Sequence, residues 1–550
     1  MGDGDPWDEQ IDASMYVTPS SGERQAGVAH GSAATRNTGR AVRECLPDEG
    51  PGAAAQEPRH PRVSIGDPPT ADGRSKYYES TRINLFLQDH MLISEAVVSS
   101  SARKKFNPAH SARAMAGIAV LLCLCLIFPE LMSGPPFQYQ PEQIHLSYPG
   151  DPTCMTVTWT TFSDTPSIVK YSRLPEPENF LDFATGNSTI FVDGGTMKRK
   201  MYIHRVTLTG LEAGQRYVYI CGSDLGWSKK FNFVALQNGT EWSPRFVIFG
   251  DLGFWNPQSL PRLQRETQAG YYDILLHVGD FAYDLDWYNA VLGDFFMIQM
   301  ESVAAYVPYM TCPGNHEEKY NFSNYRNRFS MPGDTESLWY SYDVGPAHIV
   351  SFSTEVYFYT QYGPQLIPAQ YEWLEKDLQE ANKPENRRQH PWIITMGHRP
   401  MYCSNNDKDD CTTYESIVRR GIQGHYGLED LFYKYGVDIE LWAHEHSYER
   451  LWPIYNYQVY NGSTEAPYTN PGAPIHIITG SAGCREELDP FVPDPRSWSA
   501  VRIKDYGFTR MWVVNRTHLH LQQISDDQNG EIVDDFWVVK EKHGPDAWWS

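Results

Sequence analysis

Five short apolar runs, each ending in a polar loop, constrain the fold of this chain more than any other feature. In chain order the runs are Phe246–Phe249, Ile274–Val278, Tyr306–Met310, Trp392–Met396 and Val437–Leu441. Stretches with helical character separate several of them, as at Ala369–Gln379 and Gly427–Lys434. Buried strands that alternate with helices are typical of a layered α/β domain, and we predict one over residues 241–540.

The side chains that follow the five runs are of the kinds that bind metal ions. They are Asp251, Asp280, Tyr283, Asn315, His316, His398, His444 and His446. Because functional groups gather at the carboxyl ends of strands in open α/β sheets, we expect these residues to meet at one edge. Each alone is an ordinary turn or loop residue, but oxygen and imidazole donors in this order suit zinc, iron or manganese. The sequence therefore predicts a metal centre.

Short alternating runs fill residues 134–240, before the α/β domain. Examples are Met155–Trp159, Tyr202–Leu208 and Tyr217–Ile220. Regularly spaced short strands with turn residues between them predict a β-sandwich with a structural or recognition role. Two later runs, Arg510–Val514 and Thr517–Ile524, are expected to complete the sheets of the α/β domain.

Residues 1–113 differ in composition from the rest of the chain. They hold only six of its aromatic residues and are rich in Gly, Ala, Pro, Ser and Arg. Such a segment buries too little apolar surface to offset the conformational entropy lost on folding. We expect it to be a disordered extension, or to be absent from the mature protein.

A 15-residue apolar run, Ala114–Phe128, follows that segment. Basic residues precede it and small residues come after it, which is the layout of a secretory signal over residues 114–133. The run is shorter than the stretch of about 20 residues that a membrane-spanning helix needs. Its internal position leaves two explanations: translation begins at Met91 or Met115, or the run is a signal-anchor. Either predicts a protein of the extracellular space or the endolysosomal lumen.

Sequons and cysteines in the remaining chain agree with secretion, although each is weak support. The sequons are at Asn187, Asn238, Asn321, Asn461 and Asn515. Cys403 and Cys411 are close in sequence and could pair, as could Cys154 and Cys221 in two predicted strands. Buried free thiols are the alternative. The net charge of −22 argues against a nucleic-acid-binding protein.

The ordered blocks GDLG, GDFAY, GNHE, GH and AHEH resemble those of the purple acid phosphatases, which belong to the two-metal phosphoesterase superfamily. The resemblance covers roughly residues 138–540 and is greatest to the animal long-form group. It implies an αββα metallophosphoesterase sandwich behind an N-terminal fibronectin-III-like domain. The tyrosine of the second block, Tyr283, separates this family from relatives that lack it.

The resemblance also implies a role for each predicted site residue. Asp251, Tyr283 and His446 would bind the first metal, Asp280 would bridge both metals, and Asn315, His398 and His444 would bind the second. His316 would face the substrate phosphate. Two anionic oxygens exclusive to the first metal favour Fe(III) there, whereas the neutral exclusive ligands of the second suit Zn, Fe(II) or Mn.

The activity implied is the hydrolysis of small phosphate monoesters at acid pH by a hydroxide bound at a dinuclear Fe(III)–M(II) centre. Two alternatives stay open. One is a secreted nucleotidase or phosphodiesterase of the same superfamily, and the other is a secreted binding protein whose metal domain is vestigial. We expect no nucleic-acid partner, and no stable membrane span unless the apolar run is a signal-anchor.

Two departures from the family pattern bear on these expectations. Ala443 replaces the usual glycine before the last histidine pair, which would cause strain if that position needs positive φ. We expect the change to be harmless. The loop after His398 lacks the further histidines of plant members. Tyr402 and Lys408 are the candidate phosphate neighbours there, although an exposed loop position is the plainer expectation for Lys408.

Overall fold

The computed structural model describes residues 138–175, 180–406, 408, 411 and 416–549. The predictions for residues 1–113 and 114–133 therefore lie outside the described residues. Within the described part, no helix combines the length and apolar character needed to cross a membrane.

The first region of the described chain is a sandwich of short strands, as predicted. Its strands are β1 (Glu142–Ser147), β2 (Met155–Thr161), β3 (Ile168–Arg173), β4 (Asp182–Thr185), β5 (Asn187–Val192), β6 (Lys200–Leu208), β7 (Arg216–Ser223), β8 (Gly226–Trp227) and β9 (Phe231–Val234). One sheet has the order β1-β2-β6-β5, and the other has the order β4-β3-β7-β8 with β9 also paired to β7. Alternating side chains from both sheets, among them Trp159 and Tyr219, form a core of their own.

The second region contains the remaining strands. They are β10 (Arg245–Phe249), β11 (Ile274–Val278), β12 (Tyr309–Cys312), β13 (Tyr340–Val344), β14 (Ala347–Ser351), β15 (Trp392–Met396), β16 (Gly421–Ile422), β17 (His425–Tyr426), β18 (Ile439–Trp442), β19 (Tyr448–Leu451), β20 (Ile454–Tyr455), β21 (Gln458–Val459), β22 (Ile475–Thr479), β23 (Ser499–Ile503), β24 (Gly507–Val513), β25 (His518–Ser525) and β26 (Glu531–Val539). Most of them form two sheets, with the orders β12-β11-β10-β24-β25-β26 and β13-β14-β15-β18-β22-β19-β23. The late strands thus complete the sheets of this domain, as expected.

Helices and 3₁₀ turns connect these strands. The helices are α1 (Leu260–Gln268), α2 (Trp287–Ala304), α3 (Lys319–Arg328), α4 (Leu366–Ala381), α5 (Pro384–Gln389), α6 (Ile417–Arg420) and α7 (Leu428–Lys434). The 3₁₀ turns are Asn315–Glu317, Glu355–Tyr357, Thr360–Tyr362 and Pro545–Trp549. Side chains from both sheets share one continuous buried core, so the layered α/β fold is confirmed.

The five predicted runs are all strands, but they divide between the two sheets. In the first sheet β10, β11 and β12 are parallel neighbours, and in the second β15 is parallel to β18. The third run was placed too early in the chain, because β12 begins after Pro308, which has no N–H to donate to a ladder. The predicted single edge is therefore the shared carboxyl end of two packed sheets.

A buried polar network fixes the sandwich to the α/β domain. Arg328 of α3 is 1% exposed and donates to Asp294 of α2 at 2.9 Å and to Gln143 of β1 at 2.7 Å. The backbone N–H of Gln143 donates to Glu301 of α2 at 2.7 Å. Helices α2 and α3 follow the loops that carry Tyr283 and His316, so the sandwich supports two of the site loops from behind.

The cysteine predictions have mixed outcomes. Cys403 and Cys411, one of the two possible pairs, form a disulfide. The other possible pair does not form: Cys154 and Cys221 are free thiols, as the alternative had it. Cys154 lies in the turn before β2, and Cys221 belongs to β7 in the opposite sheet.

Candidate metal centre

The first group of donors forms around Asp251, two residues after the end of β10. The Tyr283 hydroxyl lies 3.2 Å from Asp251 Oδ1 and 2.8 Å from His446 Nε2. His446 Nε2 is itself 3.5 Å from Asp251 Oδ1. A carboxylate, a phenol and an imidazole therefore converge on one point, and all three side chains are buried.

The second group forms around Asp280, which follows β11. His398 Nε2 lies 3.3 Å from Asp280 Oδ2 and 3.1 Å from the side-chain oxygen of Asn315. Donor atoms of Asp280, His398 and His444 all lie within 4.8 Å of one another, close enough to share one ion. The backbone N–H of His444 donates to Asp251 Oδ2 at 3.0 Å, which connects the second group to the first.

Hydrogen bonds orient two of the histidines for metal binding. His398 Nδ1 lies 2.8 Å from the carbonyl of Val278, and His446 Nδ1 lies 3.0 Å from the carbonyl of Glu487. A carbonyl oxygen only accepts hydrogen bonds, so each Nδ1 carries a hydrogen. The lone pair of each Nε2 is then free to bind a metal ion. Carbonyl partners of this kind fix the tautomer of metal-binding histidines, so these residues fit a metal centre.

The backbone at the site is held in an uncommon conformation. Asp251, Asp280, Tyr283 and His444 have φ values of 56°, 54°, 51° and 70°. The left-handed region costs a non-glycine residue of order 1–3 kcal/mol and is concentrated at functional sites. At Gly314 the reason for glycine is space, since a Cβ there would lie 2.2 Å from Asp280 Oδ1.

The electrostatics of the site favour a cation. Burial lowers the pKa of His398, but the charge of Asp280 outweighs burial and raises that pKa to about 10. Burial also lowers the pKa of His446, yet its hydrogen bond to Asp251 leaves the pKa well above the usual value. Without metal, protons on these imidazoles balance the buried carboxylates, and metal ions would displace them.

The phenol of Tyr283 needs a strong cation to ionise. Burial raises its pKa well above the ordinary value, and the charges of Asp251 and Asp280 raise it further. A phenolate here is therefore stable only against a metal of high charge, which agrees with a hard trivalent ion.

His316 lies beside this cluster and has a partner of its own. Its Nε2 is 3.9 Å from Asp280 Oδ2, and its Nδ1 is 2.6 Å from Asp284 Oδ1. Burial lowers the pKa of His316, but Asp280 and the hydrogen bond to Asp284 raise it to about 9. Asp284 was missed by the sequence analysis, although it directly follows Tyr283.

Glu317 organises the loops that hold Asp280 and His316. Its buried carboxylate accepts hydrogen bonds from the backbone N–H groups of Asp280 at 2.9 Å, Phe281 at 3.0 Å and Gly314 at 2.9 Å. These bonds join the loop after β11 to the loop after β12. The final residue of the GNHE block is therefore a structural anchor for the other residues.

An arginine and a glutamate that the sequence analysis also missed lie beside His444, a donor of the second group. Arg399 Nη1 lies 2.9 Å from His444 Nε2, and its Nε lies 3.1 Å from both oxygens of Glu355. The guanidinium also stacks over Phe358 at 4.3 Å. Glu355 is fully buried and follows β14, so a further strand end contributes to the same edge.

The prediction that Tyr402 lies near the substrate phosphate was wrong. Its ring is 1% exposed and packs against Tyr457 and His476, and its hydroxyl donates to Glu429, so it belongs to the core. Lys408 is exposed, as expected.

Ala443, which replaces the usual glycine of the family, lies outside the left-handed region. Its methyl group lies where a Cβ on Gly250 would come within 2.3 Å. The replacement of glycine is therefore tolerated because Gly250 leaves the space.

Three family matches cover most of the described chain. Residues 141–235 match the purple acid phosphatase N-terminal domain, residues 244–448 match the calcineurin-like phosphoesterase family, and residues 473–535 match the iron/zinc purple acid phosphatase-like protein C family. Together with the two-sheet fold and its donor cluster, these matches define the chain as a calcineurin-like phosphoesterase.

Full-length relatives narrow the class further. Acid phosphatase type 7 of Homo sapiens is 66% identical over 74% of this chain and 92% of its own length. Its namesake in Danio rerio is 61% identical over 78% and 96%. The purple acid phosphatase PPD1 of yellow lupin seeds superposes with a TM-score of 0.62 at 26% identity, covering 73% of this chain and 75% of that chain. The chain belongs to the purple acid phosphatase family.

Proposed function

We propose that this chain hydrolyses phosphate monoesters at acid pH with a dinuclear metal centre. The observation that carries the proposal is the convergence of two donor groups, one around Asp251 and one around Asp280, which the bond from the His444 N–H to Asp251 connects at the carboxyl end of both sheets. Relatives of 61–66% identity named acid phosphatase support the reaction class. The complete donor set argues against a binding protein with a vestigial metal domain.

The ligand assignment follows the two groups. Asp251, Tyr283 and His446 would hold the first metal, Asp280 would bridge, and Asn315, His398 and His444 would hold the second. The anionic donors of the first site support Fe(III), and the neutral donors of the second support Zn, Fe(II) or Mn. An Arabidopsis thaliana relative, 29% identical over 74% of this chain and 87% of its own length, is named Fe(3+)-Zn(2+) purple acid phosphatase 12. When bound, two such metals supply Lewis acidity and an acidified water.

Arg399 would bind the substrate phosphate at the mouth of the site. Arg399 Nε donates to both carboxylate oxygens of Glu355, and the backbone N–H of Arg399 donates to the hydroxyl of Thr354 at 3.1 Å. A guanidinium matches the geometry of a phosphate and keeps its charge at every working pH, unlike a histidine. Arg399 would therefore supply the positive charge that the loop after His398, which has no further histidine, does not provide.

His316 would donate the proton to the leaving oxygen. Its raised pKa keeps it protonated in acid, and although metal cations would pull that pKa down, the hydrogen bond to Asp284 opposes them. The same bond holds the ring with Nε2 toward Asp280 and the metal cluster. His316 is thus positioned to be the general acid for the step in which the ester bond breaks.

Metal analysis of purified protein, combined with a pH–rate profile on p-nitrophenyl phosphate, tests the proposal. We expect about two metals per chain, a visible phenolate-to-iron absorption band from Tyr283, and highest activity below neutral pH. The diester bis(p-nitrophenyl) phosphate is the control for the phosphodiesterase alternative. Activity on the diester alone, in iron-free and colourless protein, would contradict the proposal.

We also infer that the chain is secreted and glycosylated. Asn187, Asn238, Asn461 and Asn515 are exposed, and the disulfide between Cys403 and Cys411 supports an oxidising compartment. Asn321 is half-buried and its side-chain oxygen accepts a hydrogen bond from Arg326, so it should be the least modified. A mass shift on enzymatic deglycosylation checks this, and an unchanged mass would contradict it.

A further inference from the structure

A buried ionic cluster lies at the amino end of β18, opposite the metal centre. Asp438 is fully buried there and pairs with Lys540, with Arg387 at 3.1 Å and with His543 at 3.5 Å. Lys540 is 1% exposed and Arg387 is 9% exposed. One carboxylate thus faces an ammonium and a guanidinium group, which together carry one positive charge more than it balances.

The arginine of this cluster has unused hydrogen-bond donors. Its Nη2 donates to the carbonyl of Gly436 at 2.7 Å and to Asp438. Its Nε and Nη1 are buried, and neither has a partner among the residues that the structure describes. A buried donor left unpaired is costly, as is a buried charge without a counter-charge. Both features point to a missing group that carries negative charge and accepts hydrogen bonds from Arg387.

A cleft of about 550 Å³ opens directly beside the cluster. Arg387 and His543 line it, and so do three other basic residues. These are Arg388, Arg516 and Lys542, while Glu541 and Asp546 are the acidic residues of the lining. In a chain of net charge −22, a lining with more cations than carboxylates is a local reversal of sign.

We propose that this cleft binds a small tetrahedral oxyanion, a phosphate or sulfate group, against Arg387. The anion supplies the charge that Asp438 alone does not provide, and the exposed cations of the rim draw it in. Burial lowers the pKa of Lys540 and of Arg387 in spite of Asp438, which agrees with a cluster short of negative charge. The site is separate from the metal centre, because the two lie at opposite ends of β18.

Sulfate is the probe, since it is a tetrahedral dianion but is not the product of a phosphatase. Sulfate replaces chloride at constant ionic strength, and the unfolding temperature of the full chain is measured. We expect the temperature to rise with sulfate through ligand linkage, and to rise equally in Asp280→Ala, which lacks the metal bridge. A rise that disappears in Asp280→Ala would place the anion at the metal centre and overturn the proposal.

Substitutions in the cleft test whether these residues are what binds sulfate. Arg387→Gln should weaken sulfate binding by about tenfold or more, the effect of one charge-assisted hydrogen bond. Should Arg387→Gln fail to fold, the double variant Arg388→Gln/Arg516→Gln changes only the rim and should still weaken binding. Arg265→Gln, an exposed arginine on α1, makes the same change of charge elsewhere and should leave it unaltered. Equal weakening in Arg265→Gln would show a general charge effect and contradict the proposal.

Crystals soaked in selenate locate the anion directly. An anomalous peak at hydrogen-bond distance from Arg387 supports the site, and peaks only at the metal centre overturn it. The source of the group is then distinguished by comparing free sulfate with a sulfated monosaccharide. Tighter binding of the sugar would indicate a sulfated or phosphorylated glycan, and equal or weaker binding would indicate the free ion.

Discussion

The two ends of strand β18 stabilise buried carboxylates in different ways. At the amino end, Asp438 is met by Lys540 and Arg387, whose charges are permanent. At the carboxyl end, the side-chain partners of Asp251 and Asp280 include His446 and His398. An imidazole can give up its proton and bind a metal through the same nitrogen, whereas ammonium and guanidinium groups cannot do so at working pH.

This difference separates a structural cluster from a reactive one. Asp438 also accepts the backbone N–H of Ile393, and its carbonyl accepts the N–H of Ile475, so it ties β15, β18 and β22 together at their starts. Lys540 follows β26 of the other sheet, and the pair therefore clamps both sheets. Activity should therefore depend on the carboxyl end and not on the amino end.

The largest effect is expected from Asp280→Ala. Removal of the bridging carboxylate should abolish binding of both metals and lower phosphatase activity by roughly four orders of magnitude or more. The metal-free protein should also unfold more easily, because protonated His398 loses the carboxylate that lies 3.3 Å away and raises its pKa. Metal analysis and thermal unfolding of chelated protein check both parts. Retention of two metals would refute the bridging role.

His316→Ala is expected to separate chemistry from metal binding. Loss of a general acid should reduce kcat by about 10²- to 10⁴-fold while both metals stay bound. Asp284→Asn is the matched variant, since it keeps His316 but removes the charge that raises its pKa. It should shift the basic limb of the pH–rate profile to lower pH. A parallel loss of metal in His316→Ala would show that His316 is a ligand instead.

Asp438→Asn, at the amino end of β18, should lower the stability of the protein without lowering its activity. Two buried cations lose their carboxylate, so unfolding should become easier by about 3–5 kcal/mol with kcat unchanged. The charges of Lys540 and Arg387 lower the folded-state pKa of Asp438 against the burial that raises it. Its stabilisation is therefore present above the unfolded pKa of about 3.9 and is lost as pH falls toward the folded pKa.

Chemical denaturation of both proteins at neutral pH and near pH 3 measures this dependence. The penalty of Asp438→Asn should be largest at neutral pH and should shrink in acid. A penalty independent of pH would show that packing, and not charge, is what Asp438 contributes.

Arg399→Gln should have the smallest effect of the four. Loss of a charge-assisted contact with phosphate should raise KM for p-nitrophenyl phosphate by about 10- to 100-fold, with metal content unchanged. Arg399→Lys should restore part of the affinity, because the charge returns without the planar fork. If only kcat falls and KM stays the same, Arg399 does not bind the substrate in its ground state.

The carboxyl end could be predicted from sequence far better than the amino end. Most metal-type donors follow an apolar run within a few residues, so the strand pattern, taken with the order of the motifs and the family resemblance, predicted Asp251, Asp280 and His398. Glu355 was missed because polar residues such as His348 interrupt β14, and Arg399 because it directly follows a stronger candidate. Arg387, Asp438 and Lys540 carry no local signal, since only the order of strands in two sheets brings them together.

Four left-handed residues at the centre set a limit on how stable this protein can become. Asp251, Asp280, Tyr283 and His444 each adopt a backbone conformation that their own side chains disfavour. Glycine would relieve that cost at any of these positions, and it would also remove a donor. A screen that rewards heat resistance alone would therefore select against catalysis here. Engineering for thermostability should leave these four codons fixed and seek its gains at the opposite end of the sheets.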